Sequence, residues 1–186
     1  MIGYAFTGSF CTFKKSLASL SELIDCGYEI QPIVSENVYT TDTRFYNAKD
    51  FISELESLTG KKVVHTIEKA EPFGAKTPLD YLIISPCTGN TLAKISCGIT
   101  DTAVTMAAKA HMRCDRPMLI AVSSNDAMSQ NLSSIARLLT RKSVFFLPAV
   151  QDDPSGKPHS LVADFKLMRE GFEAMKEGRQ LRPLFI

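Results

Sequence analysis

The stretch LDYLIISPCTGNTLAKISCGITD, residues 79–101, decides the fold class. It begins with an apolar run, Tyr81 to Ile84, that is typical of a strand buried on both faces of a parallel sheet. The run stops at Ser85-Pro86, and small hydrogen-bonding residues follow at 87–91. A helical spacing of apolar residues then continues to Gly98, a typical helix end. Strand, polar turn and helix N-terminus in this order predict the carboxyl edge of an open α/β sheet, where such folds bind ligands.

The same alternation of strand and helix patterns recurs about six times along the chain. Strands are predicted at 2–7, 28–34, 63–66, 81–84, 118–123 and 143–147. Helices are predicted at 13–26, 48–58, 68–76, 103–114 and 161–176, and two more are predicted to start after residues 91 and 126. Residues 38–47 are predicted to form a loop. The pattern predicts an α/β fold: a single domain, 1–186, with a doubly wound parallel sheet of about six strands and helices on both faces.

Two predicted helices have informative faces. The helix at 103–114 is rich in alanine, which favours close packing against another helix or another subunit. The helix after 126 is predicted to bury one side, formed by Met128, Leu132, Ile135, Ala136 and Leu139. Beyond these helices, 151–160 is a polar segment dense in turn residues and a candidate lid loop, and the tail 178–186 ends in apolar residues.

Composition excludes several classes of protein. The formal net charge is +1 with no concentrated basic face, so nucleic acid is not an expected partner. No apolar stretch reaches the roughly 18 residues of a membrane span, and the N-terminus lacks the pattern of a signal peptide. The five cysteines have no regular spacing, so no disulfide framework and no metal site is expected. We therefore expect a cytoplasmic protein with reduced thiols.

Polar turns follow four of the predicted strands, at Gly8-Ser9, Ser35, 87–91 and 123–126. The carboxyl ends of parallel strands meet at one sheet edge, so these turns should line one site. The Gly-x-Gly-x-x-Gly fingerprint of dinucleotide-binding proteins is absent. A glycine, a hydroxyl and the free N–H groups of a helix start can bind an anion, although Ser9 can equally be a turn or cap residue.

The segment Pro86-Cys87-Thr88-Gly89-Asn90-Thr91 resembles the Pro-Ala-Ser-Ala-Asn-Thr motif of the homo-oligomeric flavin-containing cysteine decarboxylase family. Gly8-Ser9 resembles the phosphate loop of that family, and 123–128 is similar to its Pro-x-Met-Asn-x-x-Met segment. The resemblance implies a Rossmann-like flavoprotein domain that binds FMN, assembled as trimers or multiples of trimers with the flavin near subunit interfaces.

Within the family, the segments 86–91, 98–111 and 151–158 are similar to the branch formed by the B subunits of dipicolinate synthases. That resemblance covers nearly the whole chain. It implies an oxidoreductase subunit that works with a nicotinamide-dependent, dehydrogenase-like A subunit during sporulation. The substrate would be a small dicarboxylate, dihydro- or tetrahydrodipicolinate, and the product dipicolinate, which is pyridine-2,6-dicarboxylate.

Polar turns and resemblance together give a set of candidate site residues. The candidate cofactor-binding residues are Gly8, Ser9, Ser35, Cys87, Thr88, Gly89, Asn90, Thr91, Ser123 and Asn125. Asn90 is also a candidate catalytic residue, because its amide both donates and accepts; its alternative role is a helix cap. Cys87 precedes a helix N-terminus, which favours a reactive thiolate, and its alternative role is a small packing residue.

The histidines separate the functional alternatives. Decarboxylases of the family carry an active-site His on the helix after the second strand, whereas 38–58 contains none. His111 is expected to pack or to lie at an interface, and His159 to be solvated. An FMN-dependent decarboxylase or prenyltransferase of the same family, and a non-catalytic partner that keeps the flavin pocket, remain alternatives to dipicolinate synthesis.

Overall fold

The computed structural model describes residues 1–186 and contains a seven-stranded sheet in the order β2-β1-β3-β4-β7-β6, with β5 also paired to β4. The strands are β1 Ile2–Phe6, β2 Ile30–Val34, β3 Tyr81–Cys87, β4 Met118–Ser124, β5 Val144–Phe146, β6 Ala149–Val150 and β7 Leu161–Ala163. Strands β1 to β5 pair in parallel, and β7 pairs antiparallel with both β4 and β6. The predicted parallel sheet is therefore confirmed and carries a short antiparallel extension.

Helices cover both faces of the sheet. They are α1 Phe13–Asp25, α2 Glu36–Thr40, α3 Ala48–Thr59, α4 Ile67–Ala70, α5 Gly89–Cys97, α6 Ala103–Met112, α7 Leu132–Leu139 and α8 Met168–Lys176. Short 3-10 turns occupy Phe10–Thr12, Glu71–Phe73 and Phe165–Leu167. None of these helices is long and apolar enough to cross a membrane.

Alternation along β3 creates two hydrophobic cores. Leu82 and Ile84 pack in one core with residues of α5, α6 and α7, while Ile83 packs in the other with residues of α1, α3 and α8. Successive side chains of a strand point to opposite faces, so an uninterrupted apolar run is what a strand covered on both faces requires. Three alanines of α6, Ala103, Ala107 and Ala108, lie in the first core, and α6 packs against α4 within the chain.

The predicted end of β3 at Ser85-Pro86 was wrong, because the strand continues to Cys87. Its register against β4 shifts between Ile84 and Cys87. Proline has no N–H to donate, but the carbonyl of Pro86 accepts from the backbone N–H of Thr7 at 3.2 Å and from its hydroxyl at 2.8 Å. These bonds to the residue after β1 keep the segment in the sheet.

Three other predicted elements differ from the structure. Segment 63–66 is no strand and contributes only a single bridge between Val64 and Ile33. The loop predicted at 38–47 begins inside α2, which starts at Glu36. The helix predicted from Leu161 starts at Met168, because 161–163 form β7 between β4 and β6. Tertiary pairing therefore overrides local propensity at these places.

The predicted inward face of α7 was partly wrong. The helix begins only at Leu132, after a turn over 125–131, so Leu132 is 45% exposed and Met128 is 40% exposed. Ile135 is buried as predicted, whereas Ala136 is exposed, and Leu138 is buried in addition. In the tail, Phe185 forms a bridge with Ala149, which places residues of 178–186 against β6.

Candidate functional site

A cleft of about 570 Å³ lies at the carboxyl ends of β1, β3 and β4. Its lining residues are Gly8, Ser9, Phe10, Cys11, Arg44, Phe45, Thr88, Gly89, Asn90, Ser123, Ser124, Asn125, Asp126, Asp152, Lys157, Ser160 and Val162. The volume is within the range of small-molecule and cofactor sites, about 300–1,000 Å³. The cleft lies at the sheet edge where the sequence predicts it.

We call Thr7, Thr88, Gly89, Ser124, Asp126 and Asn131 the floor of the cleft. Its first part joins β1 to β3: the hydroxyl of Thr7 accepts from the backbone N–H of Thr88 at 2.9 Å while donating to Pro86. Thr88 caps α5, because its hydroxyl accepts from the backbone N–H of Thr91 at 3.3 Å. Residue 88 is therefore fixed both to the neighbouring strand and to its own helix.

The second part of the floor joins α5 to the turn after β4. The backbone N–H of Gly89 donates to the hydroxyl of Ser124 at 3.1 Å, and that hydroxyl donates to Asp126 at 2.5 Å. The side-chain amide of Asn131 donates to the other carboxylate oxygen of Asp126 at 2.8 Å. A Cβ at position 89 would lie 2.4–2.6 Å from these three side chains, so any larger residue there would displace these hydrogen-bonded groups.

A buried polar network supports the floor from below. The hydroxyl of Ser16 in α1 donates to the carbonyl of Ser85 at 2.7 Å, and the phenol of Tyr4 donates to the carbonyl of Ser16 at 3.0 Å. Burial raises the pKa of Tyr4 to about 12, so the phenol stays protonated and keeps donating. The network ties α1, β1 and β3 together directly beneath the turn that carries Thr88.

The hydroxyls of Ser9 and Ser123 meet at 2.7 Å, one following β1 and the other ending β4. Asn90 is exposed in the first turn of α5 and lines the same cleft, as does Asn125. Hydroxyls and amides beside a helix N-terminus can hold an anionic ligand through neutral donors. Seven candidates from the sequence are thus brought together: Gly8, Ser9, Thr88, Gly89, Asn90, Ser123 and Asn125.

The other three candidates, Ser35, Cys87 and Thr91, are buried and do not line the cleft. Burial strongly raises the pKa of the Cys87 thiol, which opposes the thiolate that a nucleophile needs. Its Sγ lies 3.7 Å from the carbonyl of Thr88, within the wall of the site. The geometry thus favours the packing role of Cys87 over the catalytic one.

We call Arg44, Phe45 and the loop 151–160 the rim of the cleft. Sequence analysis missed Arg44 and Phe45 because they belong to a segment without a ligand-binding pattern. The guanidinium of Arg44 lies 4.8 Å from the centre of the Phe45 ring, and both side chains are exposed. The one available signal was position: the segment follows the end of β2, at the same sheet edge as the other turns.

The loop 151–160 contributes Asp152, Lys157 and Ser160 to the rim. A hydrogen bond from Ser160 and the nearby ammonium of Lys157, 3.4 Å away, lower the pKa of the Asp152 carboxyl. Within the loop, the backbone N–H groups of Gly156 and Lys157 donate to Asp153. The loop is thus internally hydrogen-bonded and has a polar face toward the cleft.

The profile of the Flavoprotein family matches residues 1–165 of the chain. The chain belongs to the flavoprotein family. The profile covers the whole cleft, including the floor and the loop 151–160. The sheet-edge site of this flavoprotein is therefore a feature of the part of the chain that the family shares.

The B subunit of dipicolinate synthase from Bacillus subtilis (strain 168) is 40% identical to this flavoprotein over 185 residues, 100% of the chain and 92% of the relative. The crystal structure of the corresponding B subunit from Bacillus halodurans superposes with a TM-score of 0.91 at 39% identity, covering 100% of the chain and 95% of that structure. The similarity to this relative is thus full-length in sequence and in fold.

A more distant similarity concerns the fold alone. The crystal structure of the FMN-dependent cysteine decarboxylase SpaF has a TM-score of 0.68 at 20% identity, and the match covers 95% of both chains. The sheet and its helices are thus shared with that protein. Function must then be argued from the residues of the cleft.

Proposed function

We propose that this flavoprotein is the FMN-binding subunit of a dipicolinate synthase. In this role it acts with a dehydrogenase-like, nicotinamide-dependent A subunit to form dipicolinate from a dihydro- or tetrahydrodipicolinate precursor during sporulation. The observation that carries the proposal is the full-length 40% identity to the B subunit of dipicolinate synthase. The FMN dependence of SpaF, a protein of the same fold, supports the choice of cofactor.

The donors of the cleft fit FMN. The paired hydroxyls of Ser9 and Ser123 and the start of α5 suit a phosphate, which binds well to hydroxyl and backbone N–H donors. The lining around Asn90 and Asn125 offers amides that can both donate and accept, as the polar edge of a flavin ring requires. We propose Gly8, Ser9, Thr88, Gly89, Asn90, Ser123 and Asn125 as the cofactor-binding residues in this chain.

The proposed reaction is an oxidation. Conversion of dihydrodipicolinate into dipicolinate removes two electrons and two protons and creates an aromatic ring. FMN, when bound, supplies a two-electron acceptor, and the partner's nicotinamide is a second one. The chain's own residues bind and orient the dicarboxylate, with Asn90 as a hydrogen-bonding group beside the reacting ring. The loop 151–160 covers the site as a lid and excludes water.

The experiment that tests the proposal is a reconstitution. This flavoprotein, its dehydrogenase-like partner and the two together are assayed for dipicolinate by chromatography, with and without FMN. We expect product only when both proteins and FMN are present. Equal product from the partner alone, or from a complex made with an FMN-free variant, would contradict a catalytic role and favour the non-catalytic alternative.

The cofactor site has its own test. Ser9→Ala and Asn90→Ala should each raise the Kd for FMN by about tenfold, because each removes hydrogen bonds to the ligand. Ser133→Ala is the matched control, since Ser133 is exposed on α7 and outside the cleft. A colourless protein without affinity for FMN, or variants that bind FMN like the wild type, would show the site assignment to be wrong.

Cysteine decarboxylation is the second candidate, favoured by the fold similarity to SpaF. It is opposed by the cleft itself, because none of the three histidines lines it. Incubation of the FMN-loaded protein with a peptide ending in cysteine should yield no carbon dioxide. Measurable decarboxylation would replace dipicolinate synthesis with this candidate.

Assembly is part of the proposal. We propose a homo-oligomer, a trimer or a multiple of trimers, to which the dehydrogenase-like partner binds. Exposed Ile99, Met128 and Leu132 on and beside α5 and α7 give apolar surface that an interface between copies would bury. Light scattering of the purified protein tests this, and a monomer at micromolar concentration would contradict it.

A further inference from the structure

The charged groups of the cleft are not equivalent. Both carboxylate oxygens of Asp126 accept hydrogen bonds on the floor, from Ser124 and Asn131. On the rim, Asp152 faces Lys157, whose ammonium lies 3.4 Å from its carboxylate. Arg44 is the remaining charge in the cleft, and it forms no ion pair and no hydrogen bond within the chain.

An ordered turn presents Arg44 to the cleft. The backbone N–H of Thr43 donates to the carbonyl of Tyr46 at 2.9 Å, and the Thr43 hydroxyl accepts from the backbone N–H of Phe45 at 3.2 Å. The ring of Tyr46 packs against Phe13 and Phe51 at centroid distances of 5.8 and 5.2 Å. The turn is therefore closed by hydrogen bonds and anchored to the core, with Arg44 at its tip.

The side chain of Phe45 completes the arrangement. The guanidinium lies 4.8 Å from the ring centre, the separation of a cation–π contact. Such a contact restricts the guanidinium without using its N–H donors, which remain free for a ligand. A planar guanidinium with free donors matches a carboxylate, which it binds through two parallel hydrogen bonds.

We infer that Arg44 binds one carboxylate of a planar dicarboxylate substrate and so selects for it. This inference rests on the proposed function and adds the residue that determines specificity. The second carboxylate is left for neutral donors of the cleft near Asn90, because the other cation, Lys157, already faces an acid. Arg44 thus acts on the substrate, whereas Ser9, Ser123 and the start of α5 hold the cofactor.

The test uses the FMN-loaded, full-length protein and two probes, dipicolinate and its uncharged analogue pyridine-2,6-dicarboxamide. Binding is followed through the change in flavin absorbance, which needs no turnover. We expect Arg44→Gln to raise the Kd for dipicolinate about 10- to 100-fold, as for loss of a charge-assisted bidentate pair. The Kd for the diamide and the Kd for FMN should change less than about twofold.

Two further variants sharpen the result. Arg44→Lys keeps the positive charge but loses the planar guanidinium that forms two parallel hydrogen bonds. It should therefore bind dipicolinate several-fold more weakly than the wild type and more tightly than Arg44→Gln. Arg169→Gln removes an exposed arginine of α8 outside the cleft and should bind both probes as the wild type does.

The outcomes separate this inference from the proposed function. If the wild type binds dipicolinate and Arg44→Gln binds it equally well, the inference is wrong and the proposed function stands. If Arg44→Gln weakens FMN as much as dipicolinate, the guanidinium is a cofactor ligand and the inference is again wrong. If the FMN-loaded wild type does not bind dipicolinate, the proposed function fails and the inference fails with it.

Discussion

On the floor of the cleft, Thr88 donates to Thr7, and Gly89 donates to Ser124, which in turn donates to Asp126. On the rim, by contrast, Arg44 has no hydrogen-bonding partner. The floor is held by strands, a helix cap and a buried network, so its groups have one arrangement. The rim comes from a turn and a loop with exposed side chains. This difference indicates that the fold fixes the floor, whereas residues of the rim can be exchanged without disturbing the fold. Under the proposed function, the floor then sets which cofactor fits and the rim sets which substrate binds.

Gly89→Ala should have the largest effect, because it is on the floor. The new methyl group would lie 2.4–2.6 Å from side chains of Ser124, Asp126 and Asn131, and moving these groups aside would disrupt the hydrogen bonds among them. We expect a loss of about 2–3 kcal/mol in the free energy of unfolding and at least a hundredfold weaker binding of FMN. Urea unfolding and flavin titration measure both.

Gly8→Ala is the matched control for stability. The nearest atom to its new Cβ, in the ring of Phe10, is 3.6 Å away, an ordinary contact. We expect the free energy of unfolding to change by less than about 0.5 kcal/mol. Equal destabilisation by both variants would show that the floor is no more constrained than the surrounding turns.

Lowering the pH should destabilise the protein through His111, a residue that lies outside both the floor and the rim. His111 is fully buried, its Nε2 pairs with the carbonyl of Pro117 at 2.8 Å and its Nδ1 has no partner. Burial lowers its pKa from 6.5 to about 4, so the unfolded chain takes up the proton first. The free energy of unfolding should therefore be constant above pH 6.5 and fall by up to about 3 kcal/mol as the pH drops toward 4.

His111→Gln should remove most of that slope, because glutamine does not titrate in this range. Urea unfolding at several pH values measures it in both proteins. Since Pro117 precedes β4, at the sheet edge opposite the cleft, FMN should be released together with global unfolding. Release at a higher pH than unfolding would instead reveal a titrating group in the floor or the rim.

Ser16→Ala tests the support below the floor. It leaves the hydroxyl of Ser85 and the phenol of Tyr4 with fewer partners in a fully buried place. We expect a loss of about 1–3 kcal/mol in the free energy of unfolding, the usual result when a buried polar group loses its partner. Ser133→Ala, at an exposed serine of α7, should leave thermal unfolding unchanged. If Ser16→Ala lowers the free energy of unfolding by less than about 0.5 kcal/mol, water replaces the lost hydroxyl.

The smallest effect should come from the rim. Lys157→Gln removes an ion pair whose lysine side chain is 54% exposed, so the free energy of unfolding should change by less than about 0.5 kcal/mol. A thermal unfolding curve compared with that of Ser16→Ala checks this. A cost above about 1 kcal/mol, the upper end for an exposed pair, would show that the loop 151–160 is part of the stable body of the protein.

The sequence predicted the floor far better than the rim, for physical reasons. Residues 87–91 and 123–126 lie at the carboxyl ends of apolar strands, and the geometry of parallel sheets brings such turns to one edge. Arg44 and Phe45 belong to a short turn whose position depends on the packing of Tyr46, which has no local signature. Cys87, a predicted cofactor ligand, lies outside the lining of the cleft because β3 runs past Ser85-Pro86 to Cys87, and the hydrogen bond between Pro86 and Thr7 holds that extension in the sheet.

The same limit applies to the antiparallel extension. Leu161 to Ala163 lies beside β4 and β6, and nothing in three apolar residues distinguishes a strand from the start of a helix. The pairing depends on Ser123 and Ser124, which lie far earlier in the chain. Contacts between residues so far apart in the sequence cannot be predicted from a local pattern and are seen only in the structure.

The hairpin formed by β6 and β7 has a consequence for how this protein can diversify. Ala149 pairs with Ala163 and Val150 with Val162, so the loop 151–160 leaves and re-enters the body at adjacent points. Closing a loop between fixed ends costs only about 0.6 kcal/mol more for each doubling of its length. The loop is therefore an interchangeable module: insertions or grafts here can reshape the entrance of the cleft while β4 and the floor of the cleft keep their geometry.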